Sequence, residues 1–437
     1  MRWTLLLAYV LLFSFHANAN IHVQAVAESR AHFDDDAGNN ADADDPAIWV
    51  HPYHSQKSMV IATLKEGGLD VYDLKGALLQ HIPAPPAPTE TDRPGRFNNV
   101  DLIYDFPLGN RRIDLAVVTD RGFDKLRIFQ VNRRNQDAIL EEVTANNTPL
   151  IFSKDQSEVN QKATAYGLAT VKPFHNGSAF AFVSRNDRTD IAKLVLYSQG
   201  DNKVNYAIAE RFNVNSEFVL PDGSTWEACR EEDSDEPHVE GMVVDKQRGI
   251  LYMAQEAIGV LKTSIWQADN INLVDTVREF GVPYSRTWDE AEEEYICEYD
   301  YNNDPGFGGQ YLSADVEGLA LYDAGFGKGY LLTSSQSDNK FVLYDRGEGN
   351  AYMGEFNITD GTVDGVEHTD GIALSNARLG WKYREGLLVA HDGNNTQVVN
   401  DDQEEARDNT NFKWVRWQDI AEPLGLQIDN YNRSRGN

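Results

Sequence analysis

The chain has little of what most catalytic sites are built from. It holds two cysteines in 437 residues, Cys229 and Cys297, with no Cys-x-x-Cys pair. That excludes zinc ribbons and thioredoxin-like redox sites. In an oxidising compartment the two can form one disulfide, and otherwise they remain free thiols. There is no GxSxG elbow, no arginine six residues beyond either cysteine, no Arg-His-Gly stretch and no GxxxxGK[ST] loop. Covalent catalysis and P-loop chemistry are therefore without support, which leaves a metal-activated water as the leading mechanism. Ten histidines are scattered without an HExxH spacing, so His238 and His368 read as loop or hydrogen-bonding residues rather than transition-metal ligands.

Positive charge is also scarce. The 39 Lys and Arg face 69 Asp and Glu, for a net charge of -30. Such a chain repels nucleic acid and anionic membrane, and neither is expected as a partner. Helical periodicity is nearly missing, with Asp289 to Tyr295 the one local helical candidate. Long apolar runs reduce to one, Leu5 to Phe15, preceded by Arg2 and followed by Ala17-Asn18-Ala19. It is too short to span a bilayer and reads as a cleavable export signal over residues 1–19, cut after Ala19. Residues 20–437 are then expected as one secreted or periplasmic domain and a monomer.

What is present is a recurring phrase. HVEGMVVD from His238, DVEGLALY from Asp315 and HTDGIALS from His368 each place an acid and a glycine before an apolar run. Weaker versions begin at Asp44-Asp45, Asn99-Val100-Asp101 and Tyr166-Gly167. Most phrases are followed by further short runs rich in β-branched and aromatic residues, such as GILYMA and KFVLYD, bounded by Gly, Asn and Asp. Six such units of short antiparallel strands predict an all-β, six-bladed β-propeller. A two-sheet sandwich is the alternative, but it gives the phrase no reason to recur. The leading run Ile21 to Val26 is expected to complete the last blade.

In a propeller the innermost strands line a central channel, so the phrase starts meet at one end of it. Asp44, Asp45, Glu240, Asp315, Glu317 and Asp370 then converge, with Glu256 after the second strand of its blade. So many carboxylates stay ionised together only if cations neutralise them, and hard oxygen ligands suit Ca2+, as several ions. The Asp34-Asp35-Asp36 stretch is not an EF-hand, since Asn39 stands where that loop needs glycine. Lys65, Arg121 and Arg185 each close a second strand, which predicts a cationic side facing the acidic one, suited to a polyanion.

These residues have a family. The chain resembles the β-propeller phytases from about Asp42 to Ala421, carried by DADDPAIWV, NNVDLIYDFPL, AYGLA, VEGMVVD, LYMAQEAIG, DVEGLALY, SSQSDNKFVLYDR, TDGTVDGVEHTDGI and NFKWVRWQDIA. The resemblance implies a calcium-dependent phosphatase acting on inositol hexakisphosphate, held as its calcium complex. It implies calcium ligands at Asp44, Asp45, Tyr166, Glu240, Glu256, Asp315, Glu317 and Asp370, with catalysis centred on Glu240, Glu256, Glu317, Asp315 and Asp370. It implies a structural calcium site at Asp364, Asn394 and Asn395, and phosphate contacts from Lys65 and Arg121. A third contact falls at Arg185 or Asn186. The acidic insertions around Cys229 and Cys297 depart from the family pattern and suggest a tied rim over the channel. A calcium-dependent lactonase or esterase and a non-enzymatic binding propeller are the competing readings.

Overall fold

The computed structural model describes residues 20–36, 41–133, 138–173, 177–290, 294–396 and 407–429. The expected export signal over residues 1–19 lies outside them. No helix among the described residues is long and apolar enough to cross a membrane.

Six antiparallel sheets follow one another along the chain. Blade 1 runs from Pro46–Trp49 to Leu78–Ile82, and blade 2 from Phe97–Leu108 to Leu140–Glu142. Blade 3 runs from Ala165–Val171 to Lys203–Asn213, and blade 4 from Val239–Asp245 to Asn272–Thr276. Blade 5 runs from Leu319–Gly325 to Tyr352–Thr359, and blade 6 from Ile372–Ser375 to Asn409–Arg416. The first strand of each blade faces the central channel, whose lining includes Asp45, Asn99, Leu168, Glu240, Glu317 and Asp370. This is the six-bladed propeller, and the sandwich alternative falls.

Burial along the strands explains the sequence pattern. Inner strands are covered on both faces, as in Val239–Asp245, and read as continuous apolar runs. Outer strands alternate, as in Tyr352–Thr359, because one face meets solvent. Neighbouring inner strands come closest at the phrase glycines. A Cβ on Gly241 would lie 1.6 Å from the Glu317 carbonyl oxygen, and one on Gly167 would lie 1.9 Å from that of Glu240. Any side chain there would push two blades apart.

Two expectations change. The leading run does not serve one blade. Asn20–Gln24 adds a parallel fifth strand to blade 5, along Tyr352–Thr359. Ala27–Glu28 then pairs with Trp414 and Lys413 and supplies the fourth strand that blade 6 lacks. Residues 20–28 thus link blade 5 to the last strand of blade 6. The helical candidate near Asp289 is instead a hairpin, Tyr284–Asp289 against Glu294–Tyr299. Alternating exposure along Tyr284, Ser285, Arg286 and Thr287 follows the two-residue period of a strand.

That hairpin lies in the connection from blade 4 to blade 5, and a smaller one, Glu217–Val219 with Thr225–Glu227, lies between blades 3 and 4. Cys229 and Cys297 form a disulfide that ties the two insertions. Tyr295 N–H donates to the Glu231 carbonyl at 2.8 Å beside it.

Candidate active site

The site is built by two positions that recur in every blade. The first is the residue two before the inner-strand residue that pairs with the second strand. Pairings of Pro46, Val100, Leu168, Met242, Leu319 and Ile372 place Asp44, Asn98, Tyr166, Glu240, Glu317 and Asp370 at this position. The second lies three residues past the partner of that paired residue. It holds Lys65, Arg121, Asn186, Glu256, Gln336 and Gly393 in blades 1 to 6.

Irregular pairing fixes the first position. The register shifts between Phe97 and Val100, between Ala165 and Leu168, and between Val239 and Met242, so the chain bulges where the functional side chain leaves it. Hydroxyls of the second strand satisfy the freed backbone. Asp45, Asn99, Gly167 and Gly318 donate their N–H to Thr63 Oγ1 (3.0 Å), Thr119 Oγ1 (3.0 Å), Ser184 Oγ (2.8 Å) and Ser334 Oγ (2.7 Å). In blade 6 His391 Nδ1 does the same for Asp370 N–H at 3.0 Å.

Carboxylates gather on the side of blades 4 to 6. Ligand oxygens of Glu240, Glu256 and Glu317 lie within 4.8 Å of one another, a convergence that among the described residues no other His, Cys, Asp and Glu group shows. Burial, then the charges of Glu256 and Asp370, pushes the Glu240 carboxyl up to about 7. Burial, then Glu256 and Glu231, pushes Asp315 up to about 7. Glu317 is raised well above the usual range by burial and by Asp370. Asp44 and Asp45 are raised by burial as well. Gln336 Nε2 donates to Glu317 Oε2 and Asp370 Oδ1, each at 3.0 Å, and bridges blades 5 and 6. His238 Nε2 meets Glu256 Oε1 at 2.8 Å. Burial opposes charge on that imidazole, yet Glu256 holds its pKa up to about 9.

Cations gather on the side of blades 1 and 2. Lys65 Nζ is 3.2 Å from Asp42, 3.8 Å from Asp370 and 4.0 Å from Asp44. Burial works against its charge, but Asp370, Asp44 and Asp42 raise its pKa overall. Arg121 lies over the Tyr166 ring at 4.7 Å and donates to Asn98 Oδ1 at 3.1 Å. Among the described residues it makes no ion pair. Arg96 stands beside it, its pKa lowered by burial and then by the Arg121 charge.

Metal ions fit the carboxylate set on its chemistry. Two buried acids and the partly buried Glu256 bring oxygens to one small volume, and the buried Asp44 Oδ2 has no hydrogen-bond partner. In the absence of a cation this arrangement is relieved only by protonation, which is what the raised pKa values express.

The whole chain carries a family signature. Residues 3–279 and 301–434 match the phytase family. The chain belongs to that family. It is 31% identical over 420 residues to the 3-phytase of Bacillus subtilis (strain 168), covering 95% of this chain and 89% of that protein. This phytase-family chain is accordingly a phosphoric monoester hydrolase. Among solved structures, the one titled "Crystal structure of BBS1N in complex with ARL6DN, soaked with lead" aligns with 85% of this chain and 78% of its own, at 8% identity. Its TM-score of 0.38 is too low to carry any argument.

The residues expected from sequence divide clearly. Asp44, Tyr166, Glu240, Glu317 and Asp370 share the first position, and Lys65, Arg121 and Glu256 share the second. Asp45 sits one residue on and accepts from Val100 N–H at 2.9 Å, clipping blade 1 to blade 2. Arg185 is displaced from this set. Asn186 occupies the place equivalent to Arg121, and its N–H donates to Thr164 O at 2.9 Å as Arg121 N–H donates to Arg96 O at 2.7 Å. Arg185 turns away, donating from Nε to Ala163 O at 2.8 Å and facing Asp190 at 3.6 Å. The register moves the side chain by one residue and hence to the other face.

The second expected calcium site is arranged around an internal cation. Lys413 is fully buried, and its Nζ contacts Asp364, Glu28 at 2.8 Å, Asp392 at 3.1 Å and Asn395 Oδ1 at 3.0 Å. Asn394 points elsewhere, donating to Glu367 at 2.6 Å.

Sequence reading missed Asn98, Gln336 and Arg96. Asn98 was within reach, because it stands in its phrase where Asp44 and Glu240 stand in theirs. Gln336 was within reach too, since it closes its second strand as Arg121 and Glu256 close theirs, whereas Arg96 carried no such signal.

Proposed function

We propose that this phytase-family enzyme hydrolyses phosphomonoesters of inositol hexakisphosphate in a calcium-dependent reaction. The observation that carries the reading is the opposition of two sides: three carboxylates, two of them buried, converging with no lysine or arginine among them, and an arginine beside them that among the described residues makes no ion pair. Glu240, Glu256 and Glu317, with Asp315 and Asp370 next to them, would hold the ions. Bound calcium would supply Lewis-acid polarisation of a phosphoryl group and a water of lowered pKa.

The protein's own part is placement. Arg121, fixed against Tyr166 and Asn98, presents a planar donor fork to phosphate oxygens. Lys65 offers a point charge held in place by Asp42, and Arg96 extends the cationic side towards a second phosphate. Glu256, braced by His238, would complete the cation-holding side with Glu240 and Glu317. Positioning and electrostatic stabilisation are what phosphoryl transfer chiefly needs. The Cys229–Cys297 disulfide agrees with an oxidising compartment, so the reading is of an exported enzyme.

The deciding assay is phosphate release from phytate in excess calcium and in excess chelator. The expected result is release in the first and its loss in the second. Equal turnover in both would overturn calcium dependence, and no turnover in either would overturn phytate as substrate.

A further inference from the structure

Asn98 joins the two sides of the site. It is buried, 1% exposed, in the bulge that opens blade 2. Its Oδ1 accepts from Arg121 Nη1 at 3.1 Å. Its Nδ2 donates to Glu240 Oε1 at 3.0 Å, across the channel in blade 4, and to Asn99 Oδ1 at 2.9 Å. Its carbonyl accepts from Thr63 of blade 1. Both amide hydrogens and the side-chain oxygen are therefore in use.

The chemistry of the partners fixes the orientation. Guanidinium has only donors and requires the oxygen, while an ionised carboxylate has only acceptors and requires the NH2 group. A carboxamide is a side-chain group that serves both at once without adding charge. Aspartate would set a further negative charge against Glu240, and an apolar residue would take a hydrogen bond from the buried Glu240 and from the partly buried Arg121. Outer groups of this kind orient ligands and set their basicity.

We propose that Asn98 is a positioning residue that couples anion binding at Arg121 to cation binding at Glu240. The inference rests on the proposed function for what those two residues bind. By holding both, Asn98 keeps the guanidinium fork and the Glu240 carboxylate at a fixed separation, so a phosphate bound at Arg121 and a cation held by Glu240 would meet in register.

The test uses the full chain and reads binding rather than turnover. Calcium affinity, and inorganic phosphate affinity at saturating calcium, are measured by calorimetry for the wild type, Asn98→Ala, Arg121→Ala and the double variant. Asn98→Ala is expected to weaken both ions, each by about 10-fold or more. Arg121→Ala is expected to weaken phosphate while leaving calcium within about twofold. The double variant should bind phosphate no more than about twofold more weakly than Arg121→Ala, because Asn98 acts on phosphate through that arginine. Wild-type affinities in Asn98→Ala, or fully multiplicative losses in the double variant, would overturn the proposal. Should Asn98→Ala not fold, Asn98→Ser keeps a small hydrogen-bonding group and is expected to lose less, in the same pattern. A wild type that binds both ions but releases no phosphate from phytate would overturn the proposed function and leave this inference standing.

Discussion

Two acidic clusters in this propeller solve the same electrostatic problem in opposite ways. In blade 6, Glu28, Asp364 and Asp392 surround the Lys413 ammonium, and the chain brings its own cation. At the channel mouth, Glu240, Glu256 and Glu317 converge with no lysine or arginine among them. In the first, Lys413 offsets burial and holds the Asp364 carboxyl below its usual range, although burial still raises Asp392. In the second, burial and mutual repulsion push Glu240 up to about 7. The first cluster is built around a lysine of the chain, whereas the second has only the His238 imidazole at its Glu256 edge, and it is there that the proposed function puts a cation.

The largest expected effect breaks the first cluster. Lys413→Met leaves three acids around an apolar side chain and should destabilise the fold by about 3–5 kcal/mol. Thermal unfolding should show this, with part of the loss restored by calcium, while activity per folded molecule stays near wild type. An unchanged midpoint would mean that the acids there do not depend on the lysine.

Next comes the second cluster. Glu240→Gln should lower turnover of phytate by about 100-fold, since it removes a ligand oxygen from the cation site. Without calcium its melting temperature should not fall, because one member of a repelling set has been neutralised. A marked loss of metal-free stability would show that Glu240 is structural.

The pH dependence of stability should separate the clusters more gently. In the folded, metal-free protein Glu240 and Asp315 hold their protons up to about 7, against ordinary values of 4.5 and 3.8. Their contribution to stability is full below those ordinary values and is lost as pH rises to about 7. In chelator, the unfolding midpoint should therefore decline from pH 5 to pH 8, and the increment on adding calcium should be larger at pH 8. An increment that is larger at pH 5 would contradict the uncompensated cluster.

The smallest effect concerns the cations. Arg121→Ala should lower kcat/KM by about 10- to 100-fold, whereas Arg185→Ala, turned away from the channel, should change it by no more than about twofold. Comparable losses in both would return Arg185 to the site.

Much of this was legible along the chain, and the limits have a physical cause. Six phrases with an acid or a glycine before an apolar run announced the inner strands, because buried two-sided strands must be apolar and close approach of blades requires glycine. Glu240, Glu317 and Asp370 could be named from the same repeat. The missed or shifted residues depend on register. Arg185 and Asn186 differ by one position, and only the pairing of Leu168 with Val183 puts the second at the channel.

Sequence by itself determined the architecture, the excess of acids at the strand starts and the lack of the familiar nucleophile motifs, since these follow from local periodicity and composition. The tertiary structure alone decided which acids are neutralised. Lys413 is 49 residues from Asp364 along the chain, and Asn98 is 142 from Glu240. Charges that far apart meet only when the ring closes. The same closure brings the carboxylates of blades 4 and 5 together at the channel with amide and imidazole partners from the chain but no lysine or arginine.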